Sequence, residues 1–287
     1  MTIAVTAVTA ATGHLGRLVV DELLAHVPAT EVVAIARDAA KAADLAELGV
    51  TVRVADYGDG SAMEEALAGV ERLLLISGSE VGQRSTQHAT VIDAALAAGV
   101  AHISYTSVLG GAASILPVAP EHLDTEAHLR EVGVAHKLLR NGWYHENYAA
   151  TLASAAATGT VLTSVQDGLV ASAPRADYAR AAAVVLTTPV AELEDVYELS
   201  GDDAWPQEVL AAAVAEVIGK PVTVTRVTAA EQVAALQLAG LDEGTAGFVA
   251  AIDAAIDHGD LAIQTGQLAA LIARPTGSLV DGLRPLA

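Results

Sequence analysis

An apolar run at residues 3–9 leads into Ala10-Ala11-Thr12-Gly13-His14-Leu15-Gly16 and then into a helical pattern that begins near His14. Glycines at Gly13 and Gly16 let backbone approach a ligand and let the helix pack on the strand, while free N–H groups at the helix start attract an anion. These are the needs of a pyrophosphate cradle read as G-x-x-G-x-x-G, with Ala10 in the place of the first glycine. A bare strand-to-helix turn is the other use of the same residues. A second strand ends Ala34-Ile35-Ala36-Arg37, at the place where an acid takes the adenosine 2′-hydroxyl and an arginine takes a 2′-phosphate. Arg37, with Lys41 one helical turn later, favours NADP(H) over NAD(H). Asp38 is the residue that would reach a ribose instead, and a solvated helix start is the plain structural alternative for the two cations.

Acid–base chemistry of the Tyr-x-x-x-Lys kind, in which Lys lowers the phenol pKa, is missing. The fourth residue after Tyr105 is Leu109, after Tyr144 Tyr148, after Tyr148 Leu152, and after Tyr178 Ala182. That leaves a reduction whose acceptor takes a hydride readily and needs no strong positioned acid. The site would then supply proximity and orientation. Trp143 and Tyr144 offer a stacking surface, with a core-anchoring Trp as the other reading. His122, Asp124, Glu126 and His128 are metal-ligand types, but their two-residue steps spread them around a helix, so no metal is expected. His88 reads as a helix-surface or capping residue in preference to a functional one, and residues 192–195 read as a solvated turn.

These residues need a scaffold. The chain has 287 residues, 53% hydrophobic and 17% charged, which excludes disorder and suits a sheet covered on both faces. Fifteen Lys plus Arg against 35 Asp plus Glu give a formal charge of −20, which repels phosphate backbones and anionic lipid, so neither nucleic acid nor membrane is an expected partner. There is no cysteine, hence no disulfide or thiolate site. The start MTIAVTAVTAATG carries no basic segment, and no apolar run reaches the ~18 residues of a membrane span; a cytoplasmic location is expected.

β-Branched runs alternate with Ala/Leu-rich helical stretches at residues 3–9, 14–26, 31–36, 39–48, 51–55, 61–68, 72–76, 83–98 and 102–106. This is a βαβ series, and Leu73-Leu74-Leu75-Ile76 lacks polar alternation, as in a parallel sheet buried between helix layers. Gly49, Gly69 and Gly99 each stop a helical pattern just before Val. A helix at 121–131 and a sixth strand at 134–140 follow a loop at 110–120. Beyond Asn141 the order is irregular: helices at 144–157, 176–186 and 207–218, a segment near 169–171, strands at 196–200 and 222–227, then helices to the end. The expectation is an α/β, Rossmann-like, doubly wound parallel sheet over residues 1–145 plus the strand near 195–200, with a smaller substrate-side lobe from 146–194 and 201–287.

Several blocks together carry a resemblance: Thr9 to Gly16; Ala36-Arg37-Asp38-x-x-Lys41; Ala55-Asp56-Tyr57; Leu74-Leu75-Ile76-Ser77-x-Ser79-Glu80-Val81-Gly82-Gln83-Arg84; Tyr105-Thr106-Ser107; Leu139-Arg140-Asn141-Gly142-Trp143-Tyr144-x-Glu146-Asn147-Tyr148; Arg175-Ala176-Asp177-Tyr178; and Val196-Tyr197-Glu198-Leu199. The chain resembles, over nearly its whole length, the NmrA-like atypical short-chain dehydrogenases, and within them the quinone oxidoreductase and triphenylmethane reductase branch. The resemblance implies that Gly13, His14, Leu15 and Gly16 line the diphosphate, and Arg37 and Lys41 the 2′-phosphate. It implies Asp56 and Tyr57 at the adenine, and Ser77 with Ser79 at the nicotinamide-side ribose; Ala10, Thr12, Arg84 and Thr106 complete the implied cofactor contacts. Ser107, after the fifth strand, and Asn141, Trp143 and Tyr144, after the sixth, would face the nicotinamide and the substrate. Two positions depart from the family: Ala10 replaces a glycine, and Ala127 stands where many relatives carry Lys. What is implied is an NADPH-dependent reductase of quinones or related planar aromatics, small or polycyclic, with a homodimer allowed. A dinucleotide-sensing regulator without turnover is the reading from a different class.

Overall fold

The computed structural model describes residues 4–287; Ile3, expected to open the first strand, lies outside the described residues. The first half runs β1 (Thr6–Val8), α1 (His14–Leu24), β2 (Val32–Ala36), α2 (Ala43–Glu47), β3 (Thr51–Val54), α3 (Gly60–Leu67), β4 (Arg72–Leu75), α4 (Arg84–Ala97), β5 (His102–Val108), α5 (Ala119–Val132) and β6 (Ala135–Asn141). After it come α6 (Ala149–Thr158), β7 (Thr160–Thr163), α7 (Arg175–Thr187), β8 (Val196–Leu199), α8 (Gln207–Ile218), β9 (Thr223–Arg226), α9 (Ala229–Leu238), α10 (Glu243–His258), α11 (Gln267–Ile272) and α12 (Leu279–Leu283).

Seven strands form one sheet in the order β3-β2-β1-β4-β5-β6-β8, and the pairs from β3 through β6 are parallel. The order reverses between β1 and β4, which makes the fold a doubly wound α/β sheet with a crevice outside the carboxyl ends of those two strands. On one face Ala7, Ile35, Leu73, Leu75, Ile103 and Leu138 interlock with Met63, Leu67, Ile92 and Leu129 from α3, α4 and α5. Val8, Ala34 and Leu74, which alternate with them, are equally buried, and α1 and α7 pack against each other. Both faces are therefore covered, which is why the strands read as unbroken apolar runs. Gly49, Gly69 and Gly99 take φ values of 86°, 75° and 79°, the left-handed geometry that ends each helix and turns the chain into the next strand.

The chain divides into two compact units. One holds the described chain through Val108, with Pro120–Asn141 and Arg175–Tyr197; the other holds Leu109–Ala119, Gly142–Pro174 and Glu198–Ala287. Residues 175–194, grouped by sequence with the smaller lobe, fall in the first unit because α7 packs its alanines on α1. Several elements differ from expectation in extent. β5 runs on through Ser107, and β6 through Asn141, so both residues are strand residues. The helix expected at 39–48 breaks into a 3-10 turn at Ala40–Ala42 and the short α2, after Asp38 Oδ1 accepts the Ala40 amide at 2.9 Å. The helix expected at 144–157 likewise opens with a 3-10 turn, His145–Tyr148. Residues 169–171 supply an isolated bridge between Val170 and Trp205, and β7, which was not anticipated, pairs with β9 in a separate two-stranded sheet.

Candidate active site

The turn between β1 and α1 is organised by one carbonyl. Ala10 O accepts the Gly13 amide at 2.8 Å, and a Cβ at Gly16 would stand 2.2 Å from that same oxygen. Only glycine fits at 16, and a Cβ on Gly13 would already be tight at 3.1 Å. Ala10 itself sits at φ 47°, the left-handed region that a glycine occupies freely and that costs an alanine on the order of 1 kcal/mol. Ala10 thus holds a left-handed conformation of the kind that glycine takes freely. Helix α1 starts at His14 without a side-chain cap and without an acid in its first turn. Its leading amides are left for an anion, with Thr12, Gly13 and His14 exposed and Leu15 buried behind them. On this geometry the turn fits a diphosphate.

Thr9, at the end of β1, fastens the neighbouring strand ends. Its Oγ1 accepts the Ile76 amide at 3.0 Å and meets the Tyr57 hydroxyl at 2.5 Å; that hydroxyl also donates to Ile76 O at 2.7 Å. Burial pushes the Tyr57 phenol well above its usual range. Tyr57 is thus a fixed wall, whereas Asp56 beside it is exposed. Arg37 and Lys41 are both exposed at the end of β2, and Arg37 Nη1 donates to Glu80 Oε1 at 3.0 Å.

The loop after β4 is held from below. Its Ser77 amide donates to Thr106 Oγ1 at 2.9 Å. The Gly78 peptide is clamped on both sides: its N–H donates to His88 Nε2 at 2.9 Å, and its carbonyl accepts Arg84 Nε at 2.6 Å. Glu121 Oε1 takes the Gly82 and Arg84 amides at 2.9 and 3.0 Å. Since His88 Nε2 accepts, the hydrogen-bond network assigns its proton to Nδ1, which donates to Thr125 Oγ1 at 2.9 Å. Tyr105 OH meets His122 Nδ1 at 2.7 Å in the same cluster. Burial, with the Arg84 charge, lowers His88 to about 4 and His122 to about 3, so both rings are neutral at pH 7. His88 is fully buried and caps nothing on a surface; it ties Ser77-Gly78-Ser79 to α5.

Ser107, in β5, lies opposite Arg140 of β6 in register, and its hydroxyl donates to the buried Glu126 at 2.7 Å. Glu126 also accepts Arg140 Nε at 2.9 Å and Nη2 at 2.7 Å, and Arg130 Nη2 at 2.8 Å. Burial alone would raise its pKa, but Arg140, Ser107 and Arg130 outweigh that and hold it below the usual carboxylate range. The Ser107 proton is committed to an ionised carboxylate, so what this hydroxyl has left to offer is its lone pairs. His122 and Glu126 share the buried face of α5 at i and i+4, while Asp124 and His128 turn outward to Ser85 and Asp93. The i, i+4 spacing of His122 and Glu126 is the sequence signal for this shared face.

Asn141 closes β6 within the first unit. Trp143 and Tyr144 belong to the second, where Trp143 O accepts the Ala173 amide at 3.1 Å and Tyr144 forms a bridge with Ala173. Trp143 is half-buried, edge-on to Tyr148 at 6.4 Å, and Tyr148 packs at 5.6 Å against Trp205. Tyr148 and Trp205 are buried, so these contacts anchor the half-buried Trp143 to the core of the second unit.

The family model of the NmrA-like family matches residues 2–251. Quinone oxidoreductase 2 of Escherichia coli (strain K12) is 48% identical over 280 residues, 98% of each chain. The crystal structure of an NADPH-dependent quinone oxidoreductase from Escherichia coli with NADPH superposes at a TM-score of 0.92, with 47% identity, covering 98% of this chain and 99% of that one. Triphenylmethane reductase of Citrobacter sp., solved with NADP(H), gives the same TM-score of 0.92 at 36% identity, covering 98% of this chain and 100% of that one. A glycine turn organised by residue 10, a sheet that reverses beside it, and likeness along the whole length agree: the chain belongs to the NmrA-like family.

Proposed function

We propose that this protein is an NADPH-dependent oxidoreductase that transfers a hydride to quinones or related planar aromatic acceptors. The observation that carries the reading is the 48% identity to a quinone oxidoreductase across 98% of both chains. The turn geometry supports it, because residues 10–16 keep the backbone shape a diphosphate needs although the first glycine is absent.

NADPH supplies the hydride. The chain's own part is placement. The amides opening α1 hold the diphosphate, and Arg37 and Lys41 meet the 2′-phosphate. Ser77 and Ser79 stand on a loop that His88, Arg84 and Glu121 keep in one position, so the reacting ring is presented from a fixed support. Ser107 offers acceptor lone pairs, Asn141 a carboxamide, and Trp143 and Tyr144 a flat surface. Tyr57, Tyr105 and Tyr148 all have phenols that burial pushes above their usual range, which makes them poor acids. Water or a weak donor then protonates the reduced acceptor, which suits a quinone better than a simple ketone.

No helix of the described chain is long and apolar enough to cross a membrane, and we place the enzyme in the cytoplasm, acting on a small molecule, as a monomer or homodimer. Cell fractionation and sedimentation velocity check those two points. The function is tested by NADPH and NADH oxidation against small and polycyclic quinones, in air and under nitrogen. Quinone-dependent NADPH consumption that persists under nitrogen is expected; consumption that needs oxygen, or none at all, overturns the reading.

A further inference from the structure

Arg37 is shared. Its Nη1 donates to Glu80 at 3.0 Å, and its Nε stands 4.0 Å from Asp56 Oδ2. Glu80 is steadied from its far side by Gln87 Nε2, 2.9 Å from Oε2. Sheet order gives this pair its meaning. β2 and β4 flank β1, so a bond from the residue after β2 to the loop after β4 spans the carboxyl end of β1, a distance of roughly 10 Å at ~4.8 Å per strand. A dinucleotide laid across that end meets Arg37 already bonded to a carboxylate.

Resting on the reading that the chain uses NADPH, we propose that Glu80 is a specificity-determining residue: it competes with the 2′-phosphate for Arg37 and so narrows the preference for NADPH over NADH. The phosphate is a dianion, and every negative charge near Arg37 opposes it. Asp56 and Glu80 are two such charges, one from the β3 end and one from the β4 loop. NADH brings only a hydroxyl, which does not contend for the guanidinium. The Arg37–Glu80 pair then stays intact, and its cost falls on NADPH alone. All three side chains are about half exposed or more (Arg37 67%, Glu80 49%, Asp56 52%), so the effect is screened and modest.

The test is fluorescence titration of the wild type and Glu80→Gln with NADPH, NADH and adenosine 2′,5′-bisphosphate. Gln keeps the size and the contact to Gln87 while removing the charge. NADPH and the bisphosphate should bind roughly two- to fivefold tighter to Glu80→Gln, the upper part of the range for an exposed ion pair, with NADH unchanged within error. The gain should shrink at high salt and fall below twofold when Arg37→Ala is added. Unchanged or weaker NADPH binding by Glu80→Gln overturns the inference alone, and a gain that survives in full beside Arg37→Ala overturns competition for that arginine. A wild type that binds neither nucleotide at millimolar concentration overturns the NADPH reading and this inference with it.

Discussion

The two flanks of the turn at residues 10–16 are built in opposite ways. On the β2 side Arg37, Lys41 and Asp56 are exposed, and their ion pairs, including the one that crosses to the exposed Glu80 of the β4 loop, lie in water. Across β1, the loop after β4 rests on a dry set of polar groups, His88, Tyr105, His122, Thr125 and Glu126, every one of them buried and most of them bonded to one another. Exposed pairs contribute little to stability and can be exchanged for a ligand. Buried, satisfied groups are costly to break and define one geometry. On the proposed function, the nucleotide is selected by charges that can change partners, and its reacting end rests on a support that does not.

Acid should separate the flanks most strongly. His88 at about 4 and His122 at about 3 both lie below the ~6.5 of an unfolded histidine. The unfolded chain therefore takes up protons that the folded one refuses. Their contribution is full above about pH 6.5 and is lost as pH falls toward 4, by up to about 1.4 kcal/mol per pH unit for each ring. Urea denaturation from pH 7.5 to 4 measures it, and His88→Gln should remove about one proton from the slope; an unchanged slope would mean that His88 is not buried and neutral.

Next in size, Glu126→Ala should cost about 3–5 kcal/mol, because it removes a fully buried carboxylate to which Arg140, Arg130 and Ser107 all donate. Loss below 1 kcal/mol in a denaturant titration would place Glu126 among solvated charges. Arg37→Ala, on the other flank, should leave stability within about 0.5 kcal/mol and weaken NADPH by about 1.5–3 kcal/mol with NADH nearly unchanged. Equal losses for both nucleotides would break the assignment of this flank to the 2′-phosphate. The smallest effect is expected at the junction, where Ala10→Gly relieves a left-handed alanine. It should stabilise by up to about 1 kcal/mol, less what glycine gives back in unfolded-state entropy, and NADPH affinity should hold or rise. A loss of affinity would show that the methyl serves the turn.

The same contrast explains what was legible in the sequence. Strand ends in a parallel sheet are marked by apolar runs that stop, so Arg37 after Ala34-Ile35-Ala36 is legible from spacing alone as the residue at the end of the second strand. Its pairing with Glu80 is not, since the two are 43 positions apart and meet only because β1 lies between their strands. The dry network was hidden for another reason. His88, His122 and Glu126 are polar residues on inward faces, and a polar residue on a helical pattern is read as solvent-facing unless its i, i+4 neighbours are examined. β7 escaped because it is four residues long and begins directly after Gly159, the left-handed cap of α6. Ala10 is legible as a departure, but its left-handed conformation, with the Gly13 amide closed on its carbonyl, is not something spacing reveals.

The central claim, hydride transfer from NADPH to a quinone, is tested most directly by a single turnover under nitrogen with NADPH deuterated at the transferred position. The account predicts one hydroquinone per NADPH oxidised and a primary isotope effect on the label from one face of the nicotinamide only. Tight NADPH binding with no oxidation by any quinone would contradict it and make the chain a nucleotide sensor.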